Sequence, residues 1–355
     1  MLSADRKRLY NAIAEKIGRT PVVRYEGSVP NGNTIWIKRE CDNPFGSHYD
    51  RVYIALFHHY ESIGKIKPGD KVLETTSGSA GVSFAGIGKL LGYDCYIAIP
   101  AGGEKARIEA IKRHLVSEDR LILTPAEDYI SGFPKFLRAF LSENRDYFFL
   151  NHSMGSYDKM NGVYENNEVT LKSLEEISKE ALDLITVDYF IPAVGNGSSV
   201  LGPGRVLGDE TKVIAFETFQ SAVAFCHMYP ENYCSTYGIR PGTLSRHRLP
   251  GTSYQGIDFP HIKNAVKEGV IDQVVLVSDD KMDAEYTMLT GRTDTKELPH
   301  WDMELEHRED FGRSTKAAIA VALETAGHCR GKNLLIIAYD KSDRYDNGFK
   351  HTPSK

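Results

Sequence analysis

Two clusters of small and hydroxylated residues stand where a strand gives way to a helix, a place where backbone can hold an anion. In the first, Ala193-Val194 closes a strand and Gly195-Asn196-Gly197-Ser198-Ser199 follows, with a helix expected to begin near Ser199. Unpaired amides and the positive end of the helix dipole would face an anion docking there, and Ser198 and Ser199 add hydroxyl donors. A plain strand-to-helix turn would use the same glycines. In the second, Glu74 leads into Thr76-Ser77-Gly78-Ser79 ahead of another helix. Those hydroxyls either receive a ligand carboxylate or cap the helix. The basic run Ser245-Arg246-His247-Arg248 reads as a solvated loop more readily than as an anion site. Cys226-His227 with Cys234 and His247 matches no zinc-ligand spacing, and no metal is expected.

The elements that must position these clusters follow from hydrophobic period. Short β-branched or aromatic runs at 72–74, 96–100, 121–123 and 147–150 alternate with helical patterns. The helices carry Val82, Phe84, Ile87, Leu90 and Leu91, then Ile108, Ile111 and Leu115, then Phe136, Leu137, Phe140 and Leu141. A second series of runs lies at 189–192, 213–216, 274–277 and 334–338. Such alternation marks parallel sheets wrapped by crossover helices. The expected fold is therefore α/β, with two doubly wound, mostly parallel-sheet domains. Ligands sit beyond the carboxyl ends of such strands, so the active-site cleft is expected between the domains. The smaller, substrate-side domain is expected over 48–152, and the larger, phosphate-side domain over 1–47 plus 153–355. Residues 218–260 and 291–310 show few clean patterns and read as loops over the cleft.

The run Asn43-Pro44-Phe45-Gly46-Ser47-His48-Tyr49-Asp50-Arg51 resembles the lysine loop N-P-x-G-S-x-K-D-R of pyridoxal-phosphate enzymes of fold type II, the tryptophan synthase β and cysteine synthase family. Ile17-Gly18-Arg19-Thr20-Pro21-Val22-Val23-Arg24 is similar to that family's I-G-x-T-P-L-x-R, and Glu74-Thr75-Thr76-Ser77-Gly78-Ser79-Ala80-Gly81 to its E-x-T-S-G-N-T-G. Val194 to Ser199 resembles the loop that cradles the cofactor phosphate, and the likeness runs from about residue 17 to about residue 345. It implies that Gly195, Asn196, Gly197, Ser198 and Ser199 hold a phosphate and that Thr76, Ser77, Gly78 and Ser79 receive a carboxylate. In the family a lysine amine holds the cofactor aldehyde as an imine, but Tyr49 stands at that position and a phenol forms none. Pyridoxal phosphate remains possible, though not as an internal aldimine at position 49.

Other positions depart from the same pattern. Ser79 replaces the asparagine that touches the pyridine oxygen, and Phe148 falls near where some relatives place a polar residue over the ring. The family's D-S-G-x-R-Y matches Asp340-Lys341-Ser342-Asp343-Arg344-Tyr345, which puts Lys341 at the ring-nitrogen contact, where an ammonium repels a protonated pyridine. Alternatively Lys341 points to solvent and Ser342 takes that role. Lys38 resembles the family's ordinary strand lysine. Tyr49 is the candidate catalytic residue, yet a phenol with pKa about 10 stays protonated at neutral pH unless a neighbour depresses it. His48 is a poor candidate for that neighbour if the segment is extended, because adjacent side chains then face opposite sides.

Three readings of function follow. The first is a degenerate family member that acts by binding a phosphorylated or carboxylated small molecule or a partner enzyme. The second is an enzyme acting on a phosphorylated substrate, with Tyr49 as acid or base. The third is an amino-acid β-replacement or β-elimination lyase or transferase using noncovalent pyridoxal phosphate. The chain's 355 residues, 41% hydrophobic and 26% charged, suffice for one large or two medium cores. A net charge of −5 offers no basic stripe for nucleic acid, and no window is apolar enough for a membrane span. The five cysteines, Cys41, Cys95, Cys226, Cys234 and Cys329, are scattered and odd in number, which suits a reducing compartment, and a cytoplasmic location is expected. A homodimer is implied by the resemblance alone.

Overall fold

The computed structural model describes residues 2–240, 243–252, 257–305 and 310–346. Strands β1 (Val22–Arg24) and β2 (Thr34–Lys38) run antiparallel, with Val22 opposite Lys38. Next come β3 (Lys71–Thr75), β4 (Asp94–Pro100), β5 (Leu121–Thr124) and β6 (Tyr147–Phe149), which form a wholly parallel sheet in the order β5-β4-β3-β6. A small antiparallel pair, β7 (Tyr157–Asp158) and β8 (Val163–Tyr164), follows. Then β9 (Tyr189–Ile191), β10 (Lys212–Thr218), β11 (Gln273–Val277) and β12 (Asn333–Ile337) join the first pair in a second sheet ordered β1-β2-β12-β9-β10-β11. Every pairing in that sheet except β1 with β2 is parallel.

Parallel strands are covered on both faces and so read as unbroken apolar runs. Leu334, Leu335, Ile336 and Ile337 are each 0% exposed, as are Val72 and Leu73. The chain is thus α/β with mostly parallel sheets, as its alternating pattern predicts. Residues 218–260 depart from the loop expectation: they carry the helices Val223–Met228 and Asn232–Tyr237. Each is six residues long, too short to show a period, and is held by aromatic packing of Phe219, Tyr233 and Tyr286 in a second core. Within the two stretches expected as loops, 241, 242, 253–256 and 306–309 lie outside the described residues.

A buried charge network fixes the loop that leads to Tyr49. Arg51 donates from Nε to Glu40 Oε2 at 2.7 Å and from Nη1 to Glu180 Oε1 at 2.7 Å. Lys38 Nζ meets Glu180 Oε2 at 2.6 Å and is also bonded to Thr20, whose hydroxyl donates to Glu40 Oε1 at 2.6 Å. Asn43 Oδ1 accepts from Gly18 N–H at 2.8 Å. The segment 17–20, the strand β2 and the start of the helix Tyr49–Ser62 are thereby tied to the helix Glu168–Leu182.

Candidate functional site

The carboxyl ends of β3 and β6 in one sheet and of β9 and β12 in the other border a cavity of about 600 Å³. Its polar floor includes His48, Tyr49, Thr75, Thr76, Ser77, Gly78, Ser79, Arg107, Asn151, His152, Ser153, Gly195, Asn196, Ser199 and Asp340. Ile130, Phe133, Leu137, Leu141, Phe149, Met154, Ile257 and Phe259 form an apolar wall. The structure therefore brings most of the sequence-selected residues together. Gly197 and Ser198 lie just behind the lining: Gly197, at φ +89°, packs against Ile262, and Ser198 is fully buried.

The glycine loop is fastened internally. Asn196 Oδ1 accepts from Ser198 N–H at 2.9 Å and from Ser198 Oγ at 2.6 Å. Ser199 Oγ and His48 Nε2 are 3.0 Å apart, while His48 Nδ1 has no partner among the described residues. Burial holds the His48 imidazole down to about 4, so the ring is neutral at physiological pH.

His48 corrects the expectation that it would face away from Tyr49. The segment is helical rather than extended at that point: His48 (φ −60°, ψ −18°) is the N-cap of the helix Tyr49–Ser62. Its ring lies 4.1 Å from that of Tyr49, and Tyr49 in turn meets His152 edge-on at 5.3 Å. Burial, reinforced by nearby Glu74, pushes the Tyr49 phenol well above its usual range.

At the second cluster, the helix Ser79–Leu91 starts without a side-chain cap. Thr76 Oγ1 instead accepts from Gly78 N–H at 2.9 Å, and Ser79 Oγ donates to Asp340 Oδ2 at 2.6 Å. Arg107 completes this corner: its Nη2 reaches Asp340 Oδ2 at 3.3 Å, its Nη1 reaches Ser77 O at 3.3 Å, and it stacks on Tyr345. Close by, Arg313 pairs with Glu104 at 2.8 Å, so several side-chain bonds cross between the two sheets' halves.

Lys341 does not reach the cavity. Its backbone is extended, so adjacent side chains diverge: Asp340 faces inward while Lys341 turns out to pair with Asp42 at 3.2 Å, its side chain half exposed. Ser342 is bonded to Asp310. Phe148 is also outside the lining and packs on Tyr60, whereas Phe149 faces the cavity. Arg246 and Arg248 are not a loose basic patch, since Arg246 covers Tyr129 and Arg248 pairs with Asp279 and Asp302. Among the described residues no three His, Cys, Asp or Glu side chains are grouped to hold a metal ion.

Sequence reasoning passed over Arg107, Asn151, His152, Ser153 and Asp340. The signal was there for three of them, because residues 151–153 follow directly on the expected strand 147–150, where ligand-contacting residues gather in parallel sheets.

The molecule belongs to the class of two-sheet, mostly parallel α/β folds with a cleft at opposed carboxyl strand ends. Residues 13–292 match the family described as pyridoxal-phosphate dependent enzyme, and the chain is a member of that family. It is 28% identical over 338 residues to cysteine synthase B of Salmonella typhimurium, covering 94% of each chain. It is 26% identical over 345 residues to O-ureido-L-serine synthase of Streptomyces lavendulae, covering 96% of this chain and 92% of that one. Cysteine synthase of Entamoeba histolytica superposes with a TM-score of 0.72 at 25% identity, covering 100% of this chain and 95% of that one.

The family's cofactor can be tested against the residues present. No lysine is among the described residues lining the cavity, and the buried Lys38 amine is enclosed by Thr20, Glu40 and Glu180. The Ser198 and Ser199 hydroxyls are both engaged, by Asn196 and His48. The described lining residues thus present no amine to hold pyridoxal phosphate covalently. No helix among the described residues is long and apolar enough to cross a membrane.

Proposed function

We propose that this chain works without imine chemistry, Tyr49 standing where its family keeps the cofactor-holding lysine, and that its cleft takes up a small phosphorylated or carboxylated molecule. The observation that carries the reading is that no described residue lining the cavity is a lysine, with an aromatic pair, His48 and Tyr49, at its floor. A phenol whose pKa is raised by burial is a weak proton acceptor at neutral pH, which disfavours Tyr49 as an acid–base catalyst.

The test is to incubate the purified chain with pyridoxal phosphate, reduce with borohydride and locate any pyridoxyl group by mass spectrometry. No adduct on a cavity residue is expected. A stoichiometric adduct on one lysine would overturn the reading, and turnover abolished by Tyr49→Phe would favour the acid–base alternative.

A further inference from the structure

Strands β3 and β6 are parallel neighbours with Leu73 paired to Phe149, so their carboxyl ends lie side by side. That register brings Glu74 to His152. Glu74 Oε2 accepts from the His152 backbone N–H at 3.1 Å and lies 3.1 Å from its Nδ1. The Tyr53 hydroxyl is 3.0 Å from the same nitrogen. On the other edge of the ring, Nε2 is 3.2 Å from Ser153 Oγ, and Asn196 Nδ2 donates to that oxygen at 3.2 Å.

In the tautomer that carries its proton on Nδ1, beside Glu74 Oε2 and the Tyr53 oxygen, the Nε2 lone pair faces the Ser153 hydroxyl. Asn196 Oδ1 already accepts from Ser198, so its NH₂ is the end turned to Ser153. Glu74 and His152 are 1% and 5% exposed, while Ser153 is only partly covered and lines the cavity. A nucleophile, a base beside it, a carboxylate orienting the base and a donor near the attacking oxygen make an acyl-transfer constellation.

We propose that Ser153 is a nucleophile for ester cleavage, with His152 as its base and with Glu74 and Asn196 as positioning residues, Glu74 for the imidazole and Asn196 for the Ser153 oxygen. Ser153 Oγ bonds to the ester carbonyl carbon as its proton passes to His152 Nε2. The carbon–alkoxide bond then breaks, and His152 returns the proton to the departing alcohol. Water attacks the acyl-serine, gives a proton to His152 and releases the carboxylic acid, and His152 re-protonates Ser153. The adjoining wall sets the acyl class: Phe133, Leu137 and Leu141 recur every four residues along one helix, an apolar stripe of about 12 Å at 1.5 Å per residue. Esters of unbranched apolar acids fit that stripe. This activity goes beyond the binding reading above: it rests on Ser153, His152 and Glu74, and shares Asn196 with the glycine loop.

The full chain is treated with diisopropyl fluorophosphate and, separately, assayed on p-nitrophenyl esters from acetate to octanoate. Ser153 should carry the phosphoryl adduct, and kcat/KM should rise with acyl length. Ser153→Ala should abolish both. His152→Gln should lower kcat by about 10²–10⁴-fold, and Asn196→Ala should lower kcat by less, with little change in KM. Glu74→Gln should change the pH profile of labelling. A folded chain, shown by an unchanged melting curve, that leaves Ser153 unlabelled overturns the proposal, as does labelling that is indifferent to both His152 and pH. If His152→Gln melts early, the comparison of wild type with Ser153→Ala still decides, because that change removes one partly exposed oxygen. An unlabelled Ser153 leaves the previous reading standing, whereas a pyridoxyl adduct sinks that reading and not this one.

Discussion

Ser199 Oγ and His48 Nε2 lie 3.0 Å apart, so the residue just before Tyr49 is bonded to the hydroxyl at the start of the glycine-loop helix. The other ring nitrogen has no partner among the described residues. Ser199→Ala should therefore strand both nitrogens of an imidazole that is 5% exposed, at a cost of about 1–3 kcal/mol. Urea denaturation measures this, and an unchanged midpoint would show that the pair carries no weight in folding.

Acidification should destabilise the fold from about pH 6.5 downward. Burial holds His48 at about 4 and His261 at about 3, both below the ordinary 6.5. His261 Nε2 also accepts from Asn167 N–H at 2.9 Å, a bond that its protonation would break. A folded pKa below the unfolded one means the contribution is complete above 6.5 and is lost as pH falls toward the folded value. For His48 the gap corresponds to roughly 3 kcal/mol. Asp50 acts in the opposite sense: burial pushes its carboxyl up to about 7, so its contribution is lost as pH rises from 3.8 toward that value. Denaturant midpoints between pH 4 and 6.5 should slope less steeply in His261→Gln and more steeply in Asp50→Asn.

Gly78→Ala should break the corner where the two halves meet. A Cβ there would come within 2.8 Å of Arg107 Cζ, displacing the guanidinium from Ser77 O and Asp340. Forced shifts of this kind cost about 1–3 kcal/mol. Thermal unfolding checks it, and a wild-type melting temperature would mean that Arg107 relocates without penalty.

Arg51→Ala should be the most damaging single change outside the cavity. It leaves Glu40, which is 0% exposed, without its two bonds from the guanidinium, and strips two more from Glu180. Removing one partner of a buried ion pair costs about 3–5 kcal/mol. Calorimetry of the variant should show a loss of that size, and a loss below about 1 kcal/mol would mean that water solvates the network.

Much of this fold was legible because parallel strands print themselves as apolar runs: 72–74 and 96–100 fall on β3 and β4, and 334–338 on β12 but for its last residue. The short helices within 218–260 were not, since six residues hold too little of a helical period. In the site, the glycine and serine clusters were readable from their place between strand and helix. His48 was misjudged by assuming an extended backbone where the chain had already turned helical. Lys341 failed for the converse reason: on extended backbone, a shift of one residue reverses the facing, and Asp340 is the one directed inward. Arg107 was hidden because its partner Asp340 lies 233 residues away and joins it only when the sheets come together.

The two sheets hold no strand in common. Displacing one half against the other would leave every ladder hydrogen bond whole and would strain instead the shared apolar core and side chains such as Ser79, Arg107 and Arg313 that bridge the gap. Admission of a guest is thus uncoupled from the integrity of the frame.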